Sequence, residues 1–394
     1  MENQLIFNDL KTAFNYKGNR ELRSTWMIFK ILQYPFLVKT LTLLATLILK
    51  YNLPFKFFIR KTIFRVFCSG ENVEEAFKTI DRLHRYKVHA VLDYVSEGEH
   101  SQKAFDTNTE KIIKNIRATI NGTKTDFISV KLTGLEDADF LAGIHPNLTF
   151  PNHDAYEKYT HFIHRVYSIC SAASENKVMV YIDAEEVRSQ KIIDHVTENM
   201  MMTFNISEAV VFNSLQMYRR DRISYLDRLI KDAEKKGYFP GIKLVRGAYL
   251  EKEALYAKEH HLPNPVFDLK EETDRAFNEA IEICLSHHDR VYTCIATHNA
   301  ESIAFTLECI TKYGIRDFEN KIQFSQLYGM SDNLTFNLAS RGFHASKYLP
   351  YGEVEKAIPY LIRRAAENTS MNDQMGREFA LLEEELKRRK FEHA

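Results

Sequence analysis

The chain has 394 residues, of which 45% are hydrophobic, and its 53 basic and 53 acidic side chains give a formal net charge of zero. That length supports one large domain with appendages or two modest ones. The intermixed charge offers no basic field and no RNA or DNA motif is present, so nucleic acid is excluded as a partner. The cysteines Cys68, Cys170, Cys284, Cys294 and Cys309 are scattered without a CxxC pair. That usage fits a reducing compartment and argues against a disulfide framework or a thiolate metal site.

In chain order, residues 1–25 are polar and charged, so no secretory signal is expected there. The most apolar region runs from Trp26 to Phe67. Its best run, Thr40–Leu49, is too short to span a bilayer and is bracketed by Lys39 and Lys50. The piece LPFKFFIRKTIFRVF, from Leu53 to Phe67, mixes Lys and Arg with Phe and Ile. It reads either as an amphipathic segment lying on a membrane surface or as part of a helical arm packed on the main domain. Residues 1–85 are assigned to that helical N-terminal arm. The expected location is the cytoplasm, with peripheral contact at the inner face of the cell membrane.

From residue 86 the pattern becomes regular. Eight short apolar or β-branched runs begin at Val88, Phe127, Val178, Ala209, Gly241, Val291, Ile322 and Phe343. Amphipathic helical pieces lie between them: Tyr156–Ala173, Ser189–Phe204, Tyr218–Lys236, Phe267–His287 and Glu301–Tyr313. Strands alternating with helices predict an α/β fold, a (β/α)8 TIM-type barrel over 86–371. Active sites of such barrels lie at the C-terminal strand ends. Most of these runs end in a polar residue that a plain core strand would not want: Asp93, Lys131, Asp183, Gln216, Arg246, His298, Gln326 and Tyr348.

The stretch Tyr348–Asn368, YLPYGEVEKAIPYLIRRAAEN, is read as an extended turn followed by a helix that starts near Pro359. Tyr360, Arg363, Arg364 and Glu367 then share one helical face. Adjacent guanidinium groups repel unless an anion accompanies them, and a guanidinium fork grips a carboxylate in two places. Residues 372–394 form a C-terminal helical tail, and its EEELKRRK run suits an exposed helix.

GxGxxG, GxxxxGK[ST], HExxH and GxSxG are all absent. Only His298 stands at a strand end as a candidate ligand, so no metal site is assigned. Lys131, Lys243 and Arg246, with the arginine pair, suit an anionic ligand, a phosphate-bearing cofactor, or both. In KLVRGAYLEKE the strand runs into Gly247 and Ala248, small residues that let a flat ring or a phosphate approach the backbone. The ATHN run, Ala296–Asn299, adds hydroxyl, imidazole and amide donors.

Taken together, KLVRGAY, YIDAEE, FNSLQMY, ATHN, QLYGM and Y-x-PYG…PYLIRRAAEN resemble the proline dehydrogenases, in register and in order over roughly residues 70–371. The resemblance implies a distorted (β/α)8 barrel binding FAD. It implies oxidation of L-proline to Δ1-pyrroline-5-carboxylate, with electrons passed to a membrane quinone. A separate pyrroline-5-carboxylate dehydrogenase would take the product. By the same resemblance Arg363, Arg364 and Lys131 hold the proline carboxylate, and Tyr249, Leu244, Tyr348 and Tyr360 wall the ring. Tyr348 crowds the side where a 4-hydroxyl would project. Asp183 lies among the cations, and Lys243 falls where the family places a cation beside flavin N5. Many bacterial members have Arg there and Lys three residues on; Lys243 and Arg246 reverse that order. Gln216, Arg246, the backbone of Val245, Gly247 and Ala248, and Ala184, Thr297 and His298 are implied to hold FAD. Glu97 would pair with Arg363 as a gate. The alternatives are a 4-hydroxyproline dehydrogenase and a non-catalytic barrel that senses a small amino acid.

Overall fold

The computed structural model describes residues 6–50, 56–95, 101–119, 125–144, 147–316, 321–357, 360–361 and 372–392. Its strands are β1 (His89–Tyr94), β2 (Phe127–Val130), β3 (Met179–Ile182), β4 (Val211–Gln216), β5 (Gly241–Val245), β6 (Tyr292–Ala296), β7 (Ile322–Leu327) and β8 (His344–Tyr351). They follow one another in sequence order round a closed barrel. Every run expected to be a strand is one. The runs are β-branched and apolar because both faces of a barrel strand are covered.

Its helices include, in chain order, α1 (Leu10–Phe14), α2 (Asn19–Leu32), α3 (Pro35–Lys50), α4 (Val73–His84), α5 (Gln102–Ala118), α6 (His153–Glu175), α7 (Val187–Phe204), α8 (Arg222–Lys236), α9 (Leu250–Glu259), α10 (Lys270–Ser286), α11 (Ala300–Lys312), α12 (Asp332–Ser340) and α13 (Asn372–Glu392). Side chains of Asn72, Ser101, Asn152 and Asn299 accept from backbone N–H groups in the first turns of α4, α5, α6 and α11. These satisfy donors that a helix start leaves unpaired. Several sequence boundaries shift by a few residues, and two of these shifts change how a motif is placed. The helix expected from Tyr218 begins at Arg222, after a turn through Tyr218–Asp221. The stretch from Tyr348 to Tyr351, read as an extended turn, is instead the end of β8. Pro350 is tolerated there because its carbonyl still accepts from Ser69 N at 2.8 Å and Ser69 Oγ at 3.1 Å, and only a donor is missing.

The chain divides into two compact units, one from residues 1–95 with 325–394 and one from 96–324. In the first, β1 and β8 pair in parallel, with Val91 opposite Tyr348 and Asp93 opposite Pro350. One apolar cluster joins Leu10, Phe14, Leu22, Phe29, Phe64 and Phe67 to Val354, Tyr360, Leu361 and Leu382. By contrast, Phe36, Leu37, Leu41, Leu43 and Leu44 of α3 are exposed. Among the described residues no single helix is long and apolar enough to cross a membrane.

The second unit carries β2 to β6 in continuous parallel register. Its inner packing is aromatic: Tyr181 stacks on Phe127 at 5.1 Å and meets Phe212 edge-on at 5.2 Å. Such pairs add roughly 0.5–1.5 kcal/mol to the burial term.

Candidate active site

Within the 96–324 unit, polar side chains gather just past the C-terminal ends of the strands. Asp183 follows β3. Its Oδ1 accepts from Lys243 Nζ of β5 at 2.7 Å and from Ser214 Oγ of β4 at 3.4 Å. Lys131, which follows β2, brings its ammonium to 3.9 Å from Asp183 Oδ2. The Lys243 ammonium also stands 5.0 Å from the centroid of the Tyr181 ring, a distance at which the ring face attracts it. Tyr181 OH donates in turn to Gln323 Oε1. Three strands therefore bring together one carboxylate, Asp183, and two ammonium groups, Lys131 and Lys243.

Glu185, two residues beyond Asp183, extends the cluster. Thr133 N donates to its Oε1 at 3.0 Å and Thr133 Oγ1 donates to its Oε2. Burial pushes the Glu185 carboxyl up to about 7, against the opposing pull of the Thr133 donors and of Lys131. The Glu185 carbonyl accepts from Gln216 Nε2 at 2.7 Å. Gln216 Oε1 accepts from Tyr218 OH at 3.1 Å and from Ala248 N at 3.3 Å. Ala184 thus lies between two tethered carboxylates, and Gln216 bridges β3 to the backbone after β5. Glu185, Thr133 and Ser214 were given no role in the sequence reading. The only signal was the second acid in YIDAEE, and nothing local says which of two adjacent carboxylates is tethered.

Arg246 forms the second half of the site. Its guanidinium donates to Asp274 Oδ1 at 2.8 Å, Thr297 Oγ1 at 2.6 Å and Ser302 Oγ at 3.0 Å. It also lies 4.4 Å from the Phe277 ring centroid. Arg246 and Thr297 are thus brought together, with Asp274 of α10 and Ser302 of α11 as further partners. His298 is partly exposed beside Thr297. The carbonyls of Val245 and Arg246 accept from Met217 N at 2.8 Å and Tyr218 N at 2.9 Å. Gly247 and Ala248 are exposed. Gly247 has φ of +132°, and a Cβ there would fall 1.4 Å from the Tyr218 ring. Only glycine permits that approach. Tyr249, partly buried, opens α9.

Leu244, expected in the wall around the substrate ring, follows Lys243 in β5. Successive strand residues face opposite ways. Lys243 is directed to Asp183, so Leu244 lies on the other face, fully buried and paired in register with Leu215 and Ile295. The cluster does not include it.

In the 1–95 and 325–394 unit, Lys347 Nζ reaches Asp332 Oδ1 at 2.9 Å. Alternation therefore sets Tyr348 on the opposite face of β8, where it is buried. Tyr360 is helical and buried in the apolar cluster. Glu97, Arg363, Arg364 and Glu367 lie outside the described residues.

A parallel eight-stranded barrel with cations and tethered carboxylates at its strand ends defines an enzyme of the (β/α)8 class. More particularly, the chain belongs to the proline dehydrogenase family, whose model, described as Proline dehydrogenase, matches residues 76–377. It is accordingly an oxidoreductase of the proline dehydrogenase type. It is 32% identical to the carbapenem antibiotics biosynthesis protein CarD of Pectobacterium carotovorum subsp. carotovorum, over 82% of this chain and 84% of that protein. Identity to proline dehydrogenase 1, mitochondrial, of Dictyostelium discoideum is 28% over 97% of this chain and 75% of the relative. Identity to the hydroxyproline dehydrogenase of Xenopus laevis is 27%, over 96% and 90%. Among solved structures, proline utilization A (PutA) from Bdellovibrio bacteriovorus inactivated by N-propargylglycine matches with a TM-score of 0.70 at 22% identity. That match covers 78% of this chain and 33% of the PutA chain. The chain spans about a third of that structure, and the likeness shows the fold.

Proposed function

We propose that the protein oxidises L-proline to Δ1-pyrroline-5-carboxylate with FAD as its cofactor, and that a membrane quinone receives the electrons. The observation that carries this reading is the Asp183 carboxylate, just past β3, set between Lys243 within β5 and Lys131 just past β2. Bound FAD would supply the acceptor for the hydride that leaves the ring carbon next to nitrogen, as that nitrogen loses its proton and a C=N bond forms. The donor set suits such a cofactor. Lys243 and Arg246 are cations, Thr297 and His298 are polar, and the exposed Gly247–Ala248 backbone admits a flat anionic group.

The chain's own residues would do the rest. Lys131 holds a substrate carboxylate electrostatically, and Arg363 and Arg364 grip it bidentately by the family resemblance. Lys243 keeps positive charge where electron density accumulates, and Asp183 fixes the Lys243 ammonium in position. Clamping the carboxylate orients the ring and turns binding energy into positioning.

The exposed apolar row on α3, with the basic residues around it, supports peripheral contact with a membrane. A separate pyrroline-5-carboxylate dehydrogenase would consume the product. The test is the visible spectrum of the purified protein under anaerobic conditions. A yellow protein bleached by L-proline supports the proposal. A colourless protein without flavin after denaturation, or a yellow one that proline leaves unchanged, overturns it. A second reading, 4-hydroxyproline as substrate, is favoured by the similarity to the Xenopus laevis hydroxyproline dehydrogenase. The ratio of kcat/KM for the two amino acids decides between them.

A further inference from the structure

A cavity of about 210 Å3 lies within the unit formed by residues 1–95 and 325–394. Its walls are α2, the turn at Arg60–Phe64 with the residues just after it, and the loop that follows β7. Arg20, Lys61, Arg65, Ser24, Thr62 and Tyr328 supply its polar lining. The other charged groups that line it are already satisfied. Lys17 is paired with Asp332 at 2.8 Å, and Glu21 accepts both arms of Arg82 at 3.0 and 3.1 Å. Arg20, Lys61 and Arg65 are exposed. No carboxylate pairs with any of them among the described residues, and the Lys61 ammonium rests 4.1 Å from the Phe57 ring centroid. Three cations facing one small space repel each other. A solvated rim of single charges is the ordinary outcome for such residues, but two features show that this rim is built.

The first is the turn itself. Arg60–Phe64 is a π turn, a widened form found frequently at functional sites, and it brings Lys61 and Thr62 to the cavity. The second is Gly329, with φ of +82°, where a Cβ would fall 2.2 Å from the Val66 carbonyl oxygen. Only glycine lets the loop after β7 close onto the turn that carries Arg65 and Val66. The size narrows the ligand. The volume holds several waters, at about 30 Å3 each, and falls short of the roughly 300 Å3 at which pockets for drug-sized molecules begin. Guanidinium forks, an ammonium and hydroxyl donors around such a space match a compact oxyanion.

We infer that this cavity binds an oxyanion of the phosphate class, held by Arg20, Arg65 and Lys61. The anion could be free in solution or belong to a lipid headgroup, and the inference is independent of the reaction proposed above. The full-length protein is tested with two probes. One is inorganic phosphate titrated against chloride at equal ionic strength, read by calorimetry and by the thermal unfolding midpoint. The other is co-sedimentation with vesicles of equal parts phosphatidylcholine and phosphatidylglycerol. Wild type should bind phosphate saturably, and Arg20→Gln or Arg65→Gln should each weaken it about tenfold or more. The Arg20→Lys/Arg65→Lys double variant keeps the net charge but loses the forks, and should recover only part of the affinity. Vesicle binding that phosphate competes away, and that the Gln variants lose, assigns the site to a lipid headgroup. Phosphate binding without vesicle binding assigns it to a free oxyanion. Failure of wild type to bind either probe, or unchanged binding in a folded Arg20→Gln/Arg65→Gln double variant, overturns the inference.

Discussion

The two units handle charge in opposite ways. In the 1–95 and 325–394 unit, Asp332 sits between Lys17 and Lys347, with Tyr16 OH donating to it at 2.8 Å. Side-chain exposures there are 6% for Lys17, 3% for Asp332 and 0% for Lys347. Burial alone would raise the Asp332 pKa, but the two ammonium groups override it and hold the carboxyl well below the usual carboxylate range. Nearby, Glu378 of α13 accepts from Ser331 N at 2.8 Å and Ser331 Oγ at 3.0 Å, so residues from both ends of the chain meet at the start of α12. In the 96–324 unit the analogous group, Asp183 with Lys243 and Lys131, keeps 14% and 25% exposure on Asp183 and Lys131. A closed, fully partnered ion network fastens chain segments together. One left partly open retains the capacity to engage a ligand. The difference is one of solvent access: the first network is sealed and the second is not.

That comparison breaks most sharply at Asp332. Asp332→Ala leaves two buried ammonium groups without their anion and should cost about 3–5 kcal/mol of stability, read as a lowered denaturant midpoint. A loss under about 1 kcal/mol would mean the network behaves like a surface pair.

Lys243→Met should act in the other way, leaving the fold largely intact while lowering kcat by about 10²–10³-fold. Steady-state kinetics beside thermal unfolding distinguish the two. If unfolding drops steeply and turnover of the surviving protein does not, the assignment of functional and structural charge is reversed.

Glu185 sharpens the contrast through pH. Its folded pKa, about 7, stands above the ordinary carboxylate value of 4.5. The folded state therefore favours the protonated acid. The stability it contributes is complete below about 4.5 and is lost as pH rises through about 7. Glu185→Gln should flatten the stability difference between acidic and alkaline buffers by roughly 1–3 kcal/mol. Denaturant titrations across that window check this, and parallel curves for variant and wild type would remove Glu185 as the cause.

At Tyr348, which faces away from the Lys347–Asp332 network, the readout is substrate choice and not stability. Tyr348→Ser should shift the kcat/KM ratio toward 4-hydroxyproline by roughly 10–200-fold, with little change in stability beyond a cavity term. An unchanged ratio would place Tyr348 with the structural residues.

Much of the barrel is legible in the amino-acid sequence. Runs such as FISV and GIKLV are strands because they are short, β-branched and apolar, and the barrel arrangement is the right-handed solution to strands alternating with helices. Lys131, Asp183, Gln216 and Arg246 could be picked out because a polar residue ending a buried strand needs a reason to be there. Composition does not say which of the adjacent strand residues Lys243 and Leu244 faces inward; the Asp183 partner of Lys243 does. Pro350 misled because a proline reads as a turn until its strand neighbours supply the carbonyl contacts.

The information legible along the chain is local: period, strand and helix type, and a set of motifs in order. Pairing across long separations comes from folding. The Lys243–Asp183 bond joins residues 60 apart and Lys17–Asp332 residues 315 apart. The same closure sets Thr133 on Glu185 and turns Arg20, Lys61 and Arg65 toward one cavity. Periodicity records which side of an element is buried. Which charges meet there depends on strand register and chain closure, and these are set by the packing of the whole rather than by any one segment.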